Sequence, residues 1–233
     1  MALGYPHLHL GEVGSTNDRA RELAQAGAPH GTMVSALVQT AGRGRQGRAW
    51  TNPAGVMAQS FVLRRADCTP ELLPIAAAVA TARVCGDKAQ IKWPNDIWVD
   101  AGMPPRKVAG ILIESRMPAD WFVVGIGLNV AVDPADLGDA AARAGTLGQP
   151  ASSMPVWRRR LVKELDRALA LPADQVLGEW CERDGLLGKE LAWDSGKGVA
   201  AGVDDEGHLL VRGADGALQS LVAGEVHLQP LVP

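Results

Sequence analysis

Two unbroken apolar stretches, Val108 to Glu114 and Trp121 to Val130, constrain this chain more than any other feature. Strands without polar alternation belong at the centre of a sheet that is covered on at least one face. The flanking patterns supply the cover. His7-Leu8-His9-Leu10 alternates as a short strand, and Ala20, Leu23, Ala24 and Gly27 then share one face of a helix that Ser15 or Thr16 can cap. Thr32 to Val38, Val56 to Leu63, Gln90 to Trp93 and Ile97 to Val99 read as further strands. Pro70 to Cys85 is Ala-rich and nearly uncharged, which predicts a buried helix closed by Gly86. Ser153 to Leu171 sets Leu161, Leu165 and Ala168 against Arg158, Arg159 and Lys163, an amphipathic helix, and Pro172 starts another to about Arg183. The texture changes after Gly185. Short alternating strands from Gly188 to Leu228, with turn signals at Asp204-Asp205-Glu206-Gly207 and Ala214-Asp215-Gly216, predict a small β-barrel appended to an α/β body. The division expected is 1–185 and 186–233.

Several function classes are disfavoured. The net charge is −3, the pI near 6.0 and the aromatic content 4%, which argues against a nucleic-acid module built on basic and stacking side chains. There is no apolar run of membrane-spanning length. The start, MALGYPHLHLGEVG, lacks the basic and apolar regions of a signal peptide, so a cytoplasmic location is expected. Cys68, Cys85 and Cys181 are widely spaced and read as buried reduced thiols. No phosphate loop of the GxxxxGK(S/T) type, GxSxG or HExxH occurs, and Val130 stands where a third glycine would complete a dinucleotide fingerprint after Gly125 and Gly127. The five histidines are scattered. No zinc, NAD or haem is expected.

Four polar stretches remain. Ser15-Thr16-Asn17 places hydroxyls and an amide between a strand and a helix; an N-cap is the simplest use, a neutral polar ligand another. Gln39 to Trp50 (QTAGRGRQGRAW) packs three arginines and three glycines into Gly42 to Arg48 without one acid. Glycine permits close backbone approach, and guanidinium forks suit phosphate. With no local counter-charge, this loop is expected to be loose until a polyanion neutralises it. Lys92-Trp93-Pro94-Asn95-Asp96 projects a cation, an amide and a carboxylate from a turn. Lys107 to Glu114 opens an apolar strand with a lysine, with room at Gly110 for something to lie against it, and Gly125 to Asn129 repeats the theme of strand glycines followed by an amide. These groups are cations and amides, not bases. They suit a nucleophile that is already ionised and a transition state that is strongly anionic, such as carboxylate attack on the α-phosphate of ATP.

In this order, with KWPND and RKVAGILIE (Arg106 to Glu114) following GRGRxGRxW and with GIGLN at Gly125 to Asn129, the chain resembles the biotin protein ligases over most of residues 8–130. The C-terminal segment, with Asp204, Gly207 and Gly224-Glu225-Val226, resembles that family's SH3-like barrel. The resemblance implies an α+β fold, a mixed β-sheet flanked by helices as in class II synthetases, with a small C-terminal SH3-like β-barrel. It implies two steps: biotin and ATP with Mg²⁺ give biotinyl-5′-AMP, and a lysine of a biotin carboxyl carrier protein then takes the biotinyl group. A lipoate–protein ligase or transferase of the same fold is the alternative. Biotin would meet Ser15, Thr16, Asn17, Gln39, Arg43, Gly44, Arg45, Lys107 and Gly110. ATP would meet Arg43, Arg45, Arg48, Trp50, Lys92, Asn95, Lys107 and Asn129. The reaction itself would fall to Lys107, Arg45, Lys92 and Asp96. The family's usual Asn-Leu-Tyr type run is replaced here by Gly55 to Ser60. Only 14 residues precede Ser15, so the resemblance implies a monofunctional ligase without operator binding, as a monomer or a homodimer.

Overall fold

The apolar runs pair with each other at the middle of a seven-stranded mixed sheet. The computed structural model describes residues 3–99, 105–116, 119–222, 224 and 226–228. In chain order the sheet strands are β1 (His7–Val13), β2 (Met33–Gln39), β3 (Val56–Arg64), β4 (Gln90–Lys92), β5 (Asp96–Val99), β6 (Arg106–Glu114) and β7 (Trp121–Asn129). Their lateral order is β1-β2-β3-β7-β6-β5-β4. Only β1 and β2 run parallel, because helix α1 (Thr16–Gln25) connects them as a crossover; the other pairs are antiparallel.

Alternation in the central strands sends side chains to two different covers. Phe61, Leu63, Val124 and Ile126 meet α2 (Leu73–Cys85), which is apolar nearly all round and is backed by α3 (Met154–Leu169) and α4 (Ala173–Glu182). Val34, Val62 and Val123 meet Ala20 and Ala24 of α1. Helix α1 is only ten residues long and covers part of its face. The uncovered remainder becomes the cavity described below.

The second sheet comprises β8 (Glu190–Trp193), β9 (Gly196–Val203), β10 (Leu209–Arg212), β11 (Leu218–Leu221) and β12 (His227–Leu228), all antiparallel in the order β11-β10-β9-β8-β12. Its Leu191, Leu209 and Val211 join the main core, and Trp93 Nε1 donates to Gly207 O at 3.1 Å. The architecture is therefore α+β: a mixed sheet flanked by helices, with a separate C-terminal antiparallel sheet. Glu225 and residues 229–233 lie outside the described residues. Among the described residues no helix is long and apolar enough to cross a membrane.

Most element ends fall within three residues of those expected from sequence. Helix α2 begins at Leu73 instead of Pro70, with Pro74 taking the first turn, where its missing N–H costs nothing. The short 3₁₀ turns Pro134–Ala140 and Ala151–Ser153 carry no apolar period and were not legible. None of the three thiols is fully buried, a correction to the reading of three buried thiols: Cys68 and Cys85 are half-buried, and Cys181 is exposed on α4. Desolvation pushes the Cys85 thiol up to about 12, which leaves it un-ionised near neutral pH.

At the β1 edge, His7 Nε2 and His9 Nδ1 each lie 2.8 Å from Ser35 Oγ. Partial burial, and then the Arg158 charge, hold both imidazoles below their ordinary 6.5. The unfolded chain therefore binds more protons around and just below that pH, and stability falls as pH drops through 6.5. The double variant His7→Gln/His9→Gln is expected to show a shallower loss between about pH 7 and pH 5.5. Urea melts at several pH values check this, and parallel curves for both proteins would refute it.

Candidate active site

Strand register lines up small residues to make a floor. Ala36, Ala58, Gly127 and Gly110 are successive cross-strand partners over β2, β3, β7 and β6, on the face that α1 leaves partly open. Four adjacent strands without bulk at one level leave a groove. The cavity over it has a volume of about 490 Å³, in the range of small-molecule sites.

The glycines are dictated by what lies on them. A Cβ at Gly127 would run into the Trp50 indole, and one at Gly125 would run into Asn17 Oδ1. The space at Gly110 is filled too: a Cβ there would come within 3.0 Å of Trp50 Cζ3 and 3.1 Å of Lys107 Nζ. Trp50 thus lies across β6 and β7, with Lys107 Nζ 5.4 Å from its ring centre. Trp50 Nε1 and Asn129 Oδ1 are buried and have no hydrogen-bond partner among the described residues, while Asn129 Nδ2 is spent on Gly145 O at 2.9 Å. Buried polar atoms without partners are uncommon and mark places where a ligand can bond.

One wall comes from the start of α1. Ser15 takes the N-cap position, but its side chain makes no capping bond. The cap comes from β2 instead: Gln39 Oε1 accepts from Thr16 N at 2.7 Å and from Thr16 Oγ1 at 3.0 Å. Ser60 donates to Asn17 Oδ1 at 2.6 Å and lies 2.8 Å from Thr16 Oγ1. The departure at Gly55 to Ser60 therefore puts a buried hydroxyl behind this wall, tied to the residues that line it.

The Gly/Arg segment forms the lid side. It is a hairpin rather than a loose loop: Gly44 N donates to Arg48 O at 2.7 Å and Trp50 N to Gly42 O at 2.9 Å, around a 3₁₀ turn at Arg45–Gly47. Gln46 at its tip has φ 55°, a left-handed conformation uncommon for a residue with a side chain. The expectation of a loop with no internal counter-charge is also corrected. Arg43 NH2 lies 2.6 Å from Asp18 Oδ1 and 3.3 Å from Glu114 Oε1, acids remote in sequence that topology brings alongside.

The opposite wall carries the cations. Lys107 Nζ lies 2.6 Å from Asp96 Oδ1, across the β5–β6 pairing. Lys92 Nζ is 5.8 Å from the Trp98 ring centre. Asn95 is anchored by Nδ2 to Ile111 O at 2.9 Å, and its Oδ1 faces Arg45 NH1 at 3.5 Å.

Every residue singled out from sequence borders this one cavity: Ser15, Thr16, Asn17 and Gln39; Arg43, Gly44, Arg45, Arg48 and Trp50; Lys92, Asn95 and Asp96; Lys107, Gly110 and Asn129. Sequence reasoning missed Arg143 and Ala144, which follow the Pro134–Ala140 turn, and His227 and Leu228 from β12. Nothing local marks them; Arg143 O accepts from Lys107 N at 2.9 Å, a contact set by topology alone. Among the described lining residues six are cationic, Arg43, Arg45, Arg48, Lys92, Lys107 and Arg143, against one carboxylate, Asp96; even with Arg43 offset by Asp18 and Glu114 just outside the lining, cations stay in excess. In a chain of net charge −3 this is a concentrated positive field that selects an anionic ligand.

Comparison with known proteins agrees with this geometry. Residues 11–130 match the biotin/lipoate A/B protein ligase family, and residues 194–228 match the biotin protein ligase C-terminal domain. The biotin–[acetyl-CoA-carboxylase] ligase of Paracoccus denitrificans is 34% identical, over 93% of this chain and 98% of that protein. The bifunctional ligase/repressor BirA of Bacillus subtilis is 31% identical, over 93% of this chain and 72% of that protein. Among solved structures, the biotin protein ligase from Aquifex aeolicus in complex with biotin and ATP superposes with a TM-score of 0.73 at 26% identity, covering 97% of this chain and 99% of that one. Family, relatives and fold coincide with the cavity's chemistry: the chain belongs to the biotin/lipoate A/B protein ligase family.

Proposed function

We propose that the chain activates biotin with ATP and transfers the biotinyl group to a lysine of a biotin carboxyl carrier protein. The observation that carries this reading is the excess of cations around a groove with a neutral polar end. Ser15, Thr16, Asn17 and Gln39 offer hydroxyl and amide groups to the uncharged ureido ring. Lys107, Arg45 and Lys92 border the same cavity and would receive the carboxylate and the triphosphate. ATP arrives as its magnesium complex, so the metal is part of the substrate. Among the described residues the lining offers one carboxylate, Asp96, and Lys107 is paired with it.

In the first step a carboxylate oxygen attacks the α-phosphorus, the bond to the bridging oxygen breaks and pyrophosphate leaves. No general base is needed, because the nucleophile is ionised at neutral pH. Lys107 neutralises the repulsion between carboxylate and phosphate and stabilises the charge that builds on the α-phosphoryl oxygens. Trp50 and Asn129 border the nucleotide end, where Asn129 Oδ1 has an open acceptor site. In the second step the carrier's lysine amine attacks the anhydride carbonyl and AMP leaves. Once a ligand draws Lys107 away, Asp96 is left as a carboxylate within the site, placed to orient the incoming amine and take its proton.

Water destroys such an anhydride, so the hairpin lid must stay closed over it. Arg45 borders the cavity from the lid and faces Asn95 on the opposite wall. Arg45→Gly is expected to raise escape of biotinyl-AMP by about tenfold or more, labelling bystander lysines. A streptavidin blot of the purified chain with biotin, ATP, a carrier domain and a lysine-rich bystander tests both points. The unsubstituted chain should label one carrier lysine, and Arg45→Gly should label both proteins. Absence of label on any carrier domain would remove the transfer step from this reading, and unchanged bystander labelling would remove Arg45 from the lid.

A further inference from the structure

The hairpin holds three arginines, and one of them, though it borders the cavity, spends its guanidinium on two acids outside the lining. Arg43 NH2 meets Asp18 Oδ1 at 2.6 Å and both Glu114 oxygens at 3.3 and 3.4 Å. Neither acid borders the cavity. Asp18 sits in the first turn of α1 and Glu114 ends β6, so the two anchors belong to a helix and to a strand of the sheet it packs on. Arg21 holds Asp18 as well, fixing that carboxylate beside α1. Glu114 is fixed from the cavity side: its Oε2 accepts from Asn17 Nδ2 at 2.7 Å, and Asn17 Oδ1 accepts from Ser60. A guanidinium already bonded to two carboxylates has little charge left for a phosphate, whereas a hairpin tied to both helix and sheet is what a closed lid requires.

We propose that Asp18 and Glu114 form a two-carboxylate latch that holds the Gly42–Trp50 hairpin closed through Arg43. Arg43 is then a positioning residue, and the expectation that its guanidinium binds biotin or ATP is replaced by this role. The value of such a latch rests on the reading of the cavity as a site that shelters a water-sensitive intermediate. The three groups are partly exposed, with side chains 38%, 34% and 27% accessible for Arg43, Asp18 and Glu114. The latch is consequently weak enough to open for substrate entry and is screened by salt.

Trypsin reads the latch directly, because Arg43, Arg45 and Arg48 are its cleavage sites and the hairpin must open to be cut. The full chain is treated without ligand at low salt, as the unsubstituted protein, Asp18→Asn and Glu114→Gln. Each variant should be nicked in the hairpin about two- to fivefold faster, and the difference should vanish near 1 M salt. Cleavage at Arg159, exposed on α3, should stay at the unsubstituted rate. Unsubstituted nicking rates in both variants would overturn the latch. So would equal acceleration at Arg159, which would mean general loosening. Faster hairpin nicking together with an unsubstituted chain that shows no biotin-dependent pyrophosphate release would uphold the latch and refute the activation reading, so the two failures are distinguishable.

Discussion

Lys107→Ala should lower biotin-dependent pyrophosphate release by about 100- to 1,000-fold, the cost of removing one preorganised charge aimed at a developing oxyanion. The geometry gives three reasons. Lys107 is the cation bonded to the sole described carboxylate of the cavity, it overlies Trp50, and it packs against the groove floor at Gly110. Truncation deletes the charge and leaves Asp96 as an uncompensated negative group facing an anionic substrate. Lys107→Arg keeps the charge but changes its shape and reach, and should retain measurable release. Biotinyl-AMP supplied directly bypasses the first step, so Lys107→Ala should lose far less in transfer than in activation. Comparable losses in both steps would mean that Lys107 organises the pocket generally.

Gly125→Val should be strongly damaging to the polar wall of the cavity. Gly125 pairs with Ser60 across β3 and β7, and its missing side chain is the space that Asn17 Oδ1 occupies. Even one added carbon displaces Asn17, which breaks its bonds to Ser60 and Glu114 and moves Thr16 and Gln39 with it. Overpacking of this kind costs about 1–3 kcal/mol of stability before the broken hydrogen bonds are counted. Gly125→Ala should therefore fold less stably and bind biotin at least tenfold more weakly by calorimetry, with Gly125→Val worse on both measures. A Gly125→Ala protein with unsubstituted affinity would show that the Asn17 wall is not where the ring binds.

These two residues were legible in the sequence for different reasons. A lysine opening an apolar strand, and glycines within another, conflict with what a buried sheet prefers, and such conflicts occur where function constrains a chain. The arginine hairpin was visible in the same way. What sequence could not supply was its surroundings. Asp18 reads as an ordinary first-turn acid and Glu114 as the end of a strand; only the crossover of α1 and the order of β6 and β7 bring them to Arg43. Gln39 reads as the last residue of a strand, yet it caps α1, a role local propensity assigns to Ser15. Arg143 and His227 belong to segments without periodicity, and their places at the cavity follow from backbone contacts distant in sequence. The fold itself was easier, since apolar runs and helical stripes are local signals, and its helix and strand ends moved by no more than a few residues.

The most direct test of the central claim is pyrophosphate release from ATP by the purified chain, measured with biotin, with lipoate and with neither. Release that depends on biotin, and that Lys107→Ala loses, is the result the cationic groove predicts. Release with lipoate alone, or none with either acid, would contradict it.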